Sequence, residues 1–275
     1  MTDDSILRLD CIRKNFGGVS VVDDLSFTVQ RGSRTALIGP NGAGKTTVFN
    51  LISGVFGLDS GRIFVGDRDI TGIRSDARIR QGIARTFQNV RLMPHLSTLE
   101  NVILGQHSRN RGWLGALQPI NLLPRNRWSE EARAGLADAG LGDYERASVG
   151  SLPYGVQRRI ELVRALMARP KLLLLDEPAA GLNAAETEEL QLHLLKLCKS
   201  GELTLLVVEH DMHFVEALCE AAVVLSFGRK IAEGTPDAVR DNPDVQEVYL
   251  GKSVKPTPAR ATPANEGADR AARRA

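Results

Sequence analysis

The chain has 275 residues, 43% hydrophobic and 25% charged, with a formal net charge of +2. That composition fits a soluble globular protein with a sizeable core, and near-neutrality gives no support to nucleic-acid binding. Cys11, Cys198 and Cys219 are scattered without C-x-x-C spacing, which argues against a disulfide framework or a zinc site and fits a reducing compartment.

Met1 to Asp10 carry three acidic residues and no apolar run, so no secretory signal is expected. No unbroken apolar stretch reaches the ~18 residues of a membrane span, so any link to a membrane is expected through a partner. Residues 5–30 alternate apolar and polar side chains around Gly17-Gly18, which predicts antiparallel strands. Residues 35–39 form a short apolar run entering a glycine-rich loop and read as a buried strand. A helix is predicted over 44–53 with Gly54 as its C-cap, and strands over 61–65 and 83–87. The pattern is mostly helical from 97 to 168, broken by Gly and Pro near 112–124. A buried strand at 171–175, a helix at 184–199 and a strand at 204–208 follow. A last strand pair flanks Phe227-Gly228-Arg229, with short helices from 236 to 250. The alternation of strand and helix predicts a mainly parallel sheet covered on both faces. Residues 252–275, rich in Pro, Ala, Arg and Lys, read as a disordered basic tail.

Gly39-Pro40-Asn41-Gly42-Ala43-Gly44-Lys45-Thr46 fits G-x-x-x-x-G-K-[ST], a phosphate-binding loop between a predicted strand and helix. Its glycines let backbone N–H groups converge on phosphate oxygens, and the helix that follows adds its positive dipole end. Lys45 is expected to reach the β- and γ-phosphates of ATP and Thr46 to ligate Mg²⁺, with Thr47 beside them. The strand ending at Leu175 runs into Asp176-Glu177, where an Asp holds Mg²⁺ and a following Glu can orient the attacking water.

With these two motifs the chain resembles the ABC ATPase family, and the resemblance extends over residues 6–251. Arg85-Thr86-Phe87-Gln88 is similar to the family's Q-loop, which implies that Gln88 contacts Mg²⁺ and the attacking water. Leu152-Pro153-Tyr154-Gly155-Val156 stands where the family carries L-S-G-G-Q, the signature that meets ATP held by the opposite subunit. Pro153 stands where that pattern has Ser and Val156 where it has Gln. A helix start there would still offer backbone donors. Asn183 takes the place of the usual D-loop Asp. His210, at the end of the 204–208 strand, matches the switch histidine that contacts the γ-phosphate, and Phe16 matches the aromatic that stacks on adenine.

Several stretches resemble the LivG-type ATPases of branched-chain amino-acid uptake more narrowly. They include Arg158-Arg159-Ile160-Glu161, Glu209-His210-Asp211-Met212, Glu233-Gly-Thr-Pro236 and Tyr249-Leu-Gly251, with an insertion at 107–128. The resemblance implies an α/β P-loop NTPase of RecA-like core, with an antiparallel β-subdomain and a helical subdomain at about 90–165. Residues 1–251 would form the ATPase domain. It implies an ATP- and Mg²⁺-dependent ATPase at the cytoplasmic face of the inner membrane. Its partners would be membrane permease subunits, a second ABC ATPase subunit and, indirectly, a periplasmic binding protein, with no nucleic acid. Export rather than import, a soluble non-transport ABC ATPase, and a non-hydrolysing regulatory binder are the alternatives.

Overall fold

A computed structural model describes residues 4–88, 90–109 and 127–249. The 252–275 tail, most of the 107–128 insertion and Leu250-Gly251 lie outside the described residues. In chain order, β1 (Ser5–Phe16) and β2 (Val19–Gln30) form a hairpin that turns at Gly17-Gly18. β3 (Arg34–Ile38) leads through the glycine-rich loop into α1 (Lys45–Ile52), followed by β4 (Ser60–Val65), β5 (Arg68–Asp69), α2 (Ser75–Arg78) and β6 (Ile83–Arg85). Helices α3 (Thr98–Leu104), α4 (Arg127–Asp138) and α5 (Tyr154–Leu166) come next. The chain returns through β7 (Leu172–Asp176), α6 (Ala184–Cys198), β8 (Thr204–Val208), α7 (Met212–Leu218), β9 (Ala221–Ser226) and β10 (Arg229–Gly234) to α8 (Pro236–Arg240) and α9 (Pro243–Tyr249).

Two sheets result. One is a four-stranded antiparallel sheet of order β2-β1-β4-β5. The other has six strands in the order β10-β9-β3-β8-β7-β6, parallel throughout except for β10 at its edge. The central strands β3, β7 and β8 are buried along almost their whole length, as a parallel sheet covered on both faces requires. Their side chains alternate between two cores. Leu172, Leu174, Leu206 and Val208 pack with the antiparallel sheet and α1. Leu173, Leu175, Leu205 and Val207 pack against Leu190, Leu194 and Cys198 of α6 and Phe214 and Leu218 of α7. The α6 residues recur every four positions, the apolar stripe of a helix facing a core.

A third core joins α3, α4 and α5 through Val102, Leu136, Ile160 and Val163. α3 starts at a reciprocal cap in which Ser97 accepts from Glu100 N–H while the Glu100 carboxylate accepts from Ser97 N–H. β6 is shorter than the sequence pattern predicts, although Thr86 N–H still bonds Leu174 O beyond its end. Among the described residues no helix is long and apolar enough to cross a membrane.

This topology positions the site. β3, β8, β7 and β6 are parallel neighbours, so their carboxyl ends share one edge of the sheet. From that edge emerge the glycine-rich loop, His210, Asp176-Glu177 and Gln88, and such an edge is where open α/β sheets bind ligands.

Candidate active site

The loop from Gly39 to Thr46 has little freedom. Gly39 takes φ +149°, and a Cβ there would collide with Leu225 O. Gly44 takes φ +99°, with a Cβ position 2.7 Å from Val21 O. Glycine alone suits both places, and the loop is held tightly against β9 and β2. Ala43 O accepts from Gly228 N–H at 3.0 Å, which ties the loop to the β9–β10 turn.

Lys45 is buried and folds back over its own loop, where Nζ donates to Gly39 O at 2.7 Å and Pro40 O at 3.0 Å. Burial lowers its pKa from 10.5, partly countered by the nearby carboxylates of Glu177 and Asp176. A cleft of about 210 Å³ is lined by Asn41, Gly42, Ala43, Gly44, Lys45, Thr46 and Thr47 with Val21, Glu177 and His210.

Glu177 sits one residue past β7 at φ +48°, a left-handed conformation that costs a non-glycine residue about 1–2 kcal/mol. Its N–H donates to Val208 O at 2.9 Å, which pins the turn to the end of β8. The carboxylate is clasped from two sides. His210 Nε2 lies 2.8 Å from Oε1, and Gln88 Nε2 donates to Oε2 at 2.8 Å. Strand ends thus bring together Lys45, Glu177, His210 and Gln88, which are far apart in sequence.

Asp176 is buried and paired with Arg85, whose Nη2 lies 2.7 Å from Oδ2. Arg85 Nη1 also donates to Asn50 Oδ1 and Ser53 Oγ at the end of α1. Glu209 is buried beneath His210. It accepts from His210 N–H at 3.0 Å and Ala179 N–H at 2.8 Å, and burial raises its pKa from 4.5. The sequence reading gives no role to Arg85 or Glu209, although both stand inside motifs. Their signal was a charged residue at the end of an apolar strand.

The signature stretch lies away from the cleft, beside the D-loop. Pro153 is the N-cap of α5 and makes no side-chain cap, so backbone N–H groups alone define this helix start. A Cβ on Gly155 would collide with Glu186, and Tyr154 packs close to Gly181. Leu152 and Val156 pack on the helical core. None of Leu152 to Val156 lines the cleft around Lys45. Asn183 caps α6 instead of reaching the cleft, with Oδ1 accepting from Glu186 N–H at 3.0 Å. Phe16 ends β1, half exposed, edge-on to Phe56 with ring centroids 5.2 Å apart; it does not line the cleft either.

Fold and site together define a P-loop nucleotide-binding protein. Residues 22–180 match the ABC transporter family, and residues 229–255 match the branched-chain amino acid ATP-binding cassette transporter family. The chain is 39% identical over 251 residues to the high-affinity branched-chain amino acid transport ATP-binding protein BraF of Pseudomonas aeruginosa, covering 90% of this chain and 98% of that one. It is 36% identical, with the same coverage, to LivG of Escherichia coli, which has the same description. A nucleotide-free ATP-binding cassette from an ABC transporter superposes with a TM-score of 0.80 at 32% identity, covering 90% of this chain and all of that one. The chain belongs to the ABC transporter family of ATP-binding proteins, and ATP is its nucleotide.

Proposed function

We propose that this chain is the ATP-hydrolysing subunit of an importer for branched-chain or related amino acids. The observation that carries the catalytic part is the clasp of His210 and Gln88 on Glu177, of which Glu177 and His210 line the Lys45 cleft. The relatives' names and the match of residues 229–255 support the substrate class.

In this reading the triphosphate lies along the loop from Gly39 to Thr47, where Lys45 exchanges the carbonyls of Gly39 and Pro40 for β- and γ-phosphate oxygens. Glu177 orients a water for in-line attack, and His210 holds Glu177 and meets the γ-phosphate. Such positioning and charge placement supply most of the catalysis in phosphoryl transfer. Thr46, Asp176 and Gln88 offer only oxygen ligands, the hard donor set that suits Mg²⁺. When bound, Mg²⁺ would neutralise charge on the β- and γ-phosphates. Phe16 supplies a face for adenine.

The start of α5 at Leu152 to Val156 meets ATP held by a second ABC ATPase subunit, with Asn183 in the D-loop between them. Membrane permease subunits and, through them, a periplasmic binding protein complete the importer, and the chain works at the cytoplasmic face of the membrane.

Phosphate release by purified protein tests the catalytic part. Glu177→Gln is expected to bind a fluorescent ATP analogue as wild type does and to hydrolyse ATP ~100-fold more slowly, the scale of losing a general base. Wild-type turnover in that variant would remove Glu177 from the role.

A further inference from the structure

Arg158 lies in the first turns of α5, directly after the signature stretch, and is 5% exposed. Its guanidinium is spent on main-chain carbonyls of other segments. Nη2 donates to Glu177 O at 2.8 Å and reaches Asp176 O at 3.5 Å. Nη1 donates to Phe87 O, the carbonyl just before Gln88. Glu161, one helical turn on and 2% exposed, aims the group with Oε2 3.0 Å from Nη1. The other carboxylate oxygen of Glu161 accepts from Arg91 N–H at 3.0 Å, beyond Gln88. A cavity of only about 10 Å³ borders Arg158, Thr86 and Leu190, room for about one water and too little for the side chain to turn elsewhere.

One buried pair on α5 therefore grips the backbone on both sides of Gln88 and at Glu177. Glu177 already holds a left-handed conformation that its surroundings must maintain. Any shift of α5 relative to the sheet pulls on all three carbonyls at once, because hydrogen bonds to a charged group are the strong ones in a dry interior.

We propose that Arg158 is a positioning residue for ATP hydrolysis. With Glu161 it couples the placement of the signature helix to the placement of Glu177 and Gln88 in the same subunit. When α5 docks on a second subunit's nucleotide, Arg158 carries that docking to the attacking end of its own subunit's site. The inference rests on the reading of Glu177 and Gln88 given above.

The test compares wild type, Arg158→Gln, Arg158→Lys, Glu161→Gln and Glu177→Gln as full-length chains, at concentrations where wild type hydrolyses ATP. Melting temperature, affinity for a fluorescent ATP analogue, KM and kcat are measured for each. Arg158→Gln is expected to lower kcat by ~30-fold or more, the scale of a sub-ångström to ångström misplacement, with KM and affinity changed by less than ~3-fold. Arg158→Lys keeps the charge but cannot span the carbonyls, so its kcat falls between wild type and Arg158→Gln. Glu161→Gln shows the same split more weakly.

Wild-type kcat in folded Arg158→Gln beside an inactive Glu177→Gln overturns the coupling alone. So does a loss of affinity as large as the loss of kcat, which would mark Arg158 as merely structural. Full turnover in Glu177→Gln overturns the site reading and the coupling with it. Where Arg158→Gln does not fold, Arg158→Lys and Glu161→Gln decide by the same criteria.

Discussion

Glu177 Oε1 lies 2.8 Å from His210 Nε2, and the two residues follow neighbouring parallel strands in register, Asp176 of β7 opposite Val208 of β8. The pair is a product of the sheet: two apolar runs lie side by side, and the second polar residue after each, Glu177 and His210, reaches the same point. Gln88 reaches that point from the next strand along. The site's geometry therefore depends on buried contacts below it.

Lys45 Nζ is bonded to the carbonyls of its own loop, Gly39 O and Pro40 O. Lys45→Ala is expected to remain folded but to lose the rise in melting temperature that ATP gives wild type, since a ligand stabilises only in proportion to its binding. Thermal melts with and without ATP check this. An unchanged rise would mean that the lysine does not bind phosphate.

Arg85 and Asp176 form an ion pair in which both side chains are almost fully buried. Removing one partner strands the other charge, at a cost of about 3–5 kcal/mol. Arg85→Met should therefore be strongly destabilised, and Arg85→Met with Asp176→Asn less so than the sum of the single changes. Urea unfolding of the four proteins measures the coupling.

Glu209 has its pKa raised from 4.5 by burial. Between pH 4.5 and its folded value the folded state holds more protons than the unfolded one, so this group's contribution to stability falls as pH rises. Glu209→Gln removes that slope. It also turns one acceptor into a donor facing Ala179 N–H or His210 N–H, a cost of about 1–3 kcal/mol that does not vary with pH. The melting temperature of the variant minus that of wild type should thus be negative at pH 4.5 and become less so towards pH 8. A flat difference would contradict the raised value.

Cys11 is exposed, whereas Cys198 and Cys219 are buried, and burial pushes their thiols up to about 11 and about 12. At pH 8 a thiol reagent should label Cys11 quickly and the other two only after unfolding, because the thiolate is the reactive form. Mass spectrometry of briefly labelled protein distinguishes the sites. Fast labelling of Cys198 would mean that α6 does not pack on the sheet as described.

Much of this arrangement was legible in the sequence where physics is local. The apolar runs at 35–39, 171–175 and 204–208 read as buried strands because a parallel sheet hides both faces. Lys45, Asp176 and Glu177 could be singled out because they follow a glycine-rich loop or lie within two residues of the end of such a run, and His210, two residues past its run, through the family resemblance. The reciprocal cap of Asn183 and Glu186 was also visible as an i, i+3 pair, although the sequence reading gave Asn183 only its D-loop place. Arg85, Arg158 and Glu209 were not, since their partners come from segments that meet only in the fold. Arg158 and Glu161 entered the sequence reading only through the family resemblance, and nothing local shows that both are buried and paired. β6 stopped short because its edge position gives it a partner on one side alone.

The most direct test of the whole account is uptake of labelled leucine by cells whose own gene for this chain is wild type or Glu177→Gln, at equal protein level. The account predicts that uptake in the variant falls to the level of cells lacking the gene. Uptake equal to wild type, with the purified variant unable to hydrolyse ATP, would contradict ATP-driven leucine import by this chain.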